Sequence, residues 1–273
     1  NDVNRLHYTI FADAADITAA KVAIKAHPRM FISGLTYSNN AGDATNDIDI
    51  SAGEAINSTG VRLLQLSAIT KRLDANWAVG TNQGGILSGA AADVDYNIWL
   101  ICRVDTGVVD VGFETTASST PTLPASYTLY RHIGWFKRVG GTIVAFKTYE
   151  LEGGGLNLAW VTPTVDISSI SLSAAAQVLP IKVPLLFSTI ADLRFKLDDA
   201  GGANVVIQCP DETDAAPSAT ATPLLDFIVP AGGAGVAGRM QVRTSATGTI
   251  AARASAQVDT YRALTVGFRW SRK

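Results

Sequence analysis

Asp192-Leu193-Arg194-Phe195-Lys196-Leu197-Asp198 alternates strictly between charged and apolar side chains. An extended backbone sends successive side chains to opposite sides, so this stretch has two clean faces only as a strand. Leu193, Phe195 and Leu197 would face a core, and Asp192, Arg194, Lys196 and Asp198 would face water. The same period of two recurs upstream, where Val109, Val111 and Phe113 alternate with Asp110, Gly112 and Glu114. It recurs near the C-terminus, with Val266, Phe268 and Trp270 set against Thr265, Gly267 and Arg269. One wet face per strand is the signature of antiparallel sheets. Helical signal is confined to Asp16–Ala26, capped by Asp16 and stopped at His27-Pro28, and to a short turn over Ile69–Trp77.

Turn chemistry divides these strands. Asp105-Thr106-Gly107, Asp198-Asp199-Ala200-Gly201-Gly202 and Ala246-Thr247-Gly248 each sit between two alternating runs and read as hairpin loops. Glu152-Gly153-Gly154-Gly155 is the best domain boundary. The expectation is an all-β chain of two antiparallel β-sandwich or barrel-like domains, a jelly roll being one form open to the second. Residues 28–152 form the first domain and 156–273 the second, preceded by a short attachment segment over 1–27.

Composition narrows the function classes. The 273 residues are 47% hydrophobic and 17% charged, a balance that excludes an intrinsically disordered chain. A net charge of −2 argues against a general nucleic-acid binder. No apolar run approaches the ~20 residues of a membrane-spanning helix. Cys102 and Cys209 are the two cysteines, too far apart and too isolated for a disulfide framework or zinc site, and both read as buried thiols. The chain starts at Asn1, with nothing there resembling a signal peptide.

Several motifs suggest chemistry and are better read as structure. Gly233-Ala234-Gly235-Val236-Ala237-Gly238 fits a dinucleotide fingerprint, but the residues after it alternate like a strand where that fingerprint needs a helix. No cofactor is expected. His7, His27 and His132 are scattered, and no serine elbow is present. Asp43, Asp47 and Asp49, like Asp211, Glu212 and Asp214, fit turns and wet strand faces better than a calcium site. The tryptophans Trp77, Trp99, Trp135, Trp160 and Trp270 lie in strand-like runs and read as core or subunit contacts before sugar-stacking platforms.

Charge placement is more informative. From Leu224 onward seven bases (Arg239, Arg243, Arg253, Arg262, Arg269, Arg272, Lys273) stand against two acids (Asp226, Asp259), an excess of +5, and the rest of the chain carries −7. Arg239, Arg243, Arg253, Arg262 and Arg269 are the candidate site. They form either a solvated face that blunts sheet edges or a patch for an anionic glycan or an acidic neighbouring subunit.

Phe31-Ile32-Ser33-Gly34-Leu35-Thr36-Tyr37-Ser38-Asn39-Asn40, with Asp43-Ala44-Thr45-Asn46-Asp47-Ile48-Asp49-Ile50-Ser51-Ala52-Gly53, resembles a segment of tail-fibre and other virion appendage proteins of tailed bacteriophages, especially those of alphaproteobacteria. Leu73–Gly85, Tyr96–Asp105, Pro124–Tyr127 and Arg131–Phe136 continue the resemblance, and Pro210–Ser218, Val242–Ser245 and Ile250–Arg253 extend it into the second half. It implies a virion-borne structural protein with no catalytic residues, commonly a homotrimer. Its partners would be other virion proteins and a host surface glycan or outer-membrane receptor. A capsid decoration or head-spike protein is the first alternative. A surface-polysaccharide depolymerase is the second, with Asp43, Asp47 and Asp211 as the carboxylates to test.

Overall fold

The alternating stretch is strand β16 (Ile190–Asp198), with Leu193 and Leu197 fully buried and Arg194 and Lys196 exposed. The computed structural model describes residues 30–115, 119–214, 216–217, 226–233 and 235–271. The attachment segment over 1–27, including the helix expected at Asp16–Ala26, lies outside the described residues. Within them the chain is all-β, and no helix is long and apolar enough to cross a membrane.

The described residues form four sheets. The smallest joins β1 (Ile32–Gly34), β4 (Gly53–Ile56) and β5 (Leu63–Leu66). The largest runs in the order β11 (Thr142–Ile143), β10 (Tyr127–Val139), β8 (Asp95–Arg103), β9 (Val109–Thr115), β7 (Gln83–Ile86), β6 (Ile69–Asn76), β3 (Asp47–Ile50) and β2 (Tyr37–Asn39). A third contains β12 (Phe146–Leu151), β13 (Gly155–Trp160), β21 (Val258–Trp270), β16 and β19 (Val236–Arg243), with β14 (Val165–Leu172) also paired to β21. The fourth orders β15 (Gln177–Pro180), β20 (Thr249–Ala254), β17 (Ala203–Gln208) and β18 (Asp226–Val229). The first two sheets draw on residues up to 143 and the last two on residues from 146 onward. The glycine triplet joins β12 to β13 as a hairpin within one sheet, with Gly153 and Gly154 at positive φ.

One large apolar core runs through both halves, and Trp99, Ile101 and Tyr127 form a smaller cluster of their own. Trp135 on β10 meets Trp160 on β13 and Phe268 on β21 edge-to-face, with centroids 5.8 and 5.6 Å apart. The His132 ring packs 4.8 Å from Trp270, and Tyr37 packs 5.4 Å from Phe146. Such pairs add about 0.5–1.5 kcal/mol each beyond the burial of their area. Cys102 and Cys209 are buried free thiols, and burial pushes the Cys102 pKa up.

Three local expectations change. Ile69–Asn76 is a strand rather than a helical turn: Lys71 and Leu73 point inward and Arg72 and Asp74 outward, an alternation hidden by the inward lysine. Asp105-Thr106-Gly107 does close the β8–β9 hairpin. The loops at 198–202 and 246–248, by contrast, carry the chain between sheets, because β16 and β19 belong to one sheet and β17 and β20 to another. Gly248 holds the second loop at φ +68°, a conformation that suits glycine, while Ser245 Oγ accepts from the Thr247 and Thr249 N–H groups. Turn residues encode a reversal, and it is the packing of the following strand that decides whether it pairs with its predecessor or crosses the core.

Candidate functional site: a basic sheet face and the groove at its rim

Residues directly opposite in an antiparallel pair share a face. Arg194 on β16 lies opposite Arg239 on β19, and Lys196 lies opposite Arg262 on β21. Ile190 sits between Arg243 and Arg269. Four of the five expected arginines therefore share one exposed face with Arg194 and Lys196. Arg253 stands apart on β20 in the other sheet, bound to Asp214 Oδ2 at 2.5 Å and to the Ala174 carbonyl. Arg272 and Lys273 lie outside the described residues. Counting charge along the C-terminal stretch finds β19 and β21 but misses β16, which lies earlier in sequence and between them in space.

Part of this charge is matched locally. Arg239 makes a two-pronged pair with Asp192, Lys196 lies 2.9 Å from Asp198, and Arg243 lies 3.5 Å from Glu212. Among the described residues Arg194, Arg262 and Arg269 make no ion pair. Protection of a sheet edge explains Arg239 and Arg243, because β19 is an edge strand. It does not explain Arg194, Lys196, Arg262 and Arg269 on β16 and β21, strands that are paired on both sides. Like charges directly opposite, as at Arg194 and Arg239, disfavour the strand pair by a few tenths to about 1 kcal/mol.

The face continues to a groove. Edges β2 and β12 lie side by side and are joined by side chains instead of a backbone ladder. The Tyr37 N–H donates to Thr148 Oγ1 (3.2 Å), whose hydroxyl donates to the Tyr37 carbonyl (2.5 Å). The Phe146 N–H donates to Asn39 Oδ1 (3.0 Å). Over this seam opens a groove of about 450 Å³ lined by Thr36, Ser38, Asp49, Ser51, Lys147 and Tyr149, among others. Register ties the groove to the basic face: Tyr149 is opposite Asn157, and Asn157 is opposite Arg269. Tyr149 is 52% exposed, and Asp49 Oδ1 accepts from Asn40 and from Thr70. Sequence reasoning missed Lys147 and Tyr149; the one available signal was the alternation of Phe146-Lys147-Thr148-Tyr149 before the glycines.

The remaining candidates are structural. Trp99, Trp135, Trp160 and Trp270 are buried, and Trp77 Nε1 donates to the Val111 carbonyl (3.1 Å). Asp43 Oδ1 accepts from the Thr45 and Asn46 N–H groups, closing a turn. Burial, then the nearby Asp43 charge, raises the pKa of Asp47. Among the described residues no three His, Cys, Asp or Glu side chains gather to hold a metal ion. Gly233 and Gly235 lead into β19, and Gly238 lies within it, opposite Phe195, whose ring packs on it. His132 Nε2 lies 3.1 Å from Asn97 Oδ1, and burial lowers its pKa from 6.5 to about 3.

No protein-family model and no curated protein matches the chain. Among solved structures, a Bacillus thuringiensis Cry1Da tryptic core variant is similar at 9% identity and a TM-score of 0.21. That alignment covers 86% of this chain and 51% of the other, so the chain spans about half its length. A likeness this distant carries no argument for fold or function.

Proposed function

We propose that the chain is a virion structural protein of a tailed bacteriophage, a tail fibre or tail-associated component that attaches the particle to its host by binding. The observation that carries this reading is the open basic face: three bases on inner strands, without ion pairs among the described residues, beside a groove lined with hydroxyls and an exposed ring. Flat, solvent-open surfaces of this kind hold a partner weakly, and attachment then depends on many copies acting together. A trimer, with several fibres per particle, supplies that multiplicity. The resemblance to appendage proteins over residues 31–53 supports the same reading, and that segment contributes β1, β2 and β3, including one wall of the groove.

The acidic-neighbour alternative places the same face inside the particle, as in a capsid decoration or head-spike subunit. Competition for the host separates the two. Purified chain added in excess should slow adsorption of the phage that encodes it. Undiminished adsorption at saturating protein would contradict attachment and favour an assembly role.

A further inference from the structure

Resting on the attachment reading for its setting, we infer that the basic face and the groove form one continuous site for an extended anionic polysaccharide. Its acidic groups would meet Arg243, Arg269 and Lys147, and one sugar ring would lie on Tyr149. Arg243, Ile190, Arg269, Asn157 and Tyr149 form one row across five strands, and Gln241, Asp192, Gly267, Ala159 and Lys147 form the next. At ordinary strand spacing of about 4.8 Å, Arg243 and Arg269 stand roughly 10 Å apart, and Tyr149 lies about as far again beyond Arg269. A polymer crossing the strands along this row meets a cation at each end of a disaccharide-sized interval and then an aromatic ring.

Chemistry selects carbohydrate over other polyanions. The groove at the end of the row is lined by Ser38, by the Thr36 hydroxyl donating to Ser51 Oγ (2.9 Å), and by the Asp49 carboxylate. Sugar hydroxyls both donate and accept, and so match this mixture. A nucleic acid would place phosphate against Asp49, and its successive bases need a series of stacking rings, whereas Tyr149 is the one aromatic on the row. Lys147, which has no ion pair among the described residues, stands beside Tyr149 at the groove mouth and suits a carboxylate on the sugar stacked there. Asp192 and Asp198 partly neutralise the face, which favours a chain of spaced charges over one of continuous charge density.

The test is surface plasmon resonance of the full chain on immobilised polygalacturonate, with neutral dextran and single-stranded poly(dT) in parallel channels. Retention is expected on polygalacturonate alone and should fall as salt is raised. Arg243→Glu with Arg269→Glu should weaken it roughly thirtyfold, from two lost attractions of about 1 kcal/mol each. Tyr149→Ala should weaken it roughly fivefold with the salt dependence unchanged, since a ring contact carries no net charge. Arg253→Gln, off the face, should bind like the parent, and melting temperatures confirm that each variant is folded. Equal retention on dextran, tighter retention on poly(dT), or a double variant that binds polygalacturonate like the parent would each overturn the proposal. Locating the protein on particles answers the separate question. Polyuronate binding by a chain absent from virions would sink the attachment reading alone, and a virion-borne chain indifferent to polyuronate would sink the ligand alone.

Discussion

The Lys71 ammonium, shielded from solvent, lies 3.2 Å from Asp110 Oδ1 and donates to the carbonyls of Ala78 (2.6 Å) and Gly80 (3.2 Å). Asp110 in turn accepts from the Gly80 and Val111 N–H groups. This cluster accounts for an unusual return of the chain. β6 and β7 run parallel although only residues 77–82 separate them, where parallel neighbours ordinarily need a dozen or more connecting residues. The buried charges fold that short loop back by gripping its backbone. Burial lowers the Lys71 pKa, and Asp110 opposes the shift. Removing one partner strands the other charge, so Asp110→Ala should cost about 3–5 kcal/mol in urea unfolding. A loss below 1 kcal/mol would refute the clamp. None of this was legible in the sequence, where Lys71 looks like one more polar residue and turns Ile69–Trp77 into a helical expectation.

His132 sets an acid limit on the same sheet. Unfolded, it takes a proton near pH 6.5; folded, burial keeps it neutral down to about pH 3. The unfolded state therefore binds the extra proton between those values, and stability falls as pH drops through that window. Urea midpoints should decline from pH 6.5 towards pH 4, and His132→Gln should flatten the decline. Parallel slopes for the two proteins would contradict the assignment. The sequence showed a lone histidine on a strand; its ring contacts with Trp99, Phe187 and Trp270 come from three distant segments and carry no local signal.

At the scale of elements, strand identity was the most legible feature, since a period of two is a local property. Partnership was not. The loops at 198–202 and 246–248 have hairpin chemistry and nevertheless cross between sheets, because β17 and β20 bury their apolar faces in the opposite layer. β10 shows how tightly such layers are fitted. Its register with β8 shifts between His132 and Gly134, and a side chain at 134 would collide with the Tyr37 ring, whose hydroxyl accepts from the Trp135 N–H at 3.0 Å. Gly134→Ala should therefore destabilise by about 1–3 kcal/mol, the usual range for overpacking. Thermal unfolding reads this directly, and an unchanged melting temperature would show that the seam yields.

Across the whole molecule the two pairs of sheets divide the chain near residue 145 yet share one core through Trp135, Trp160 and Phe268. One cooperative transition is expected, with tryptophan fluorescence and far-UV circular dichroism coinciding. Two separated transitions would mean that the aromatic seam does not couple the halves. The candidate face was half legible. Arginines on β19 and β21 stand out as charge in the C-terminal stretch, whereas Arg194, Lys196, Lys147 and Tyr149 join them only through strand order. The excess of base over acid thus becomes a surface assembled from three parts of the chain, and that surface is what the attachment account rests on. Immunogold electron microscopy on particles of the proposed phage is the sharpest check on the attachment proposal. Gold on the tail fibres or other tail appendages, in threefold copy number, is the predicted result; gold on the head, or particles without label, would contradict it.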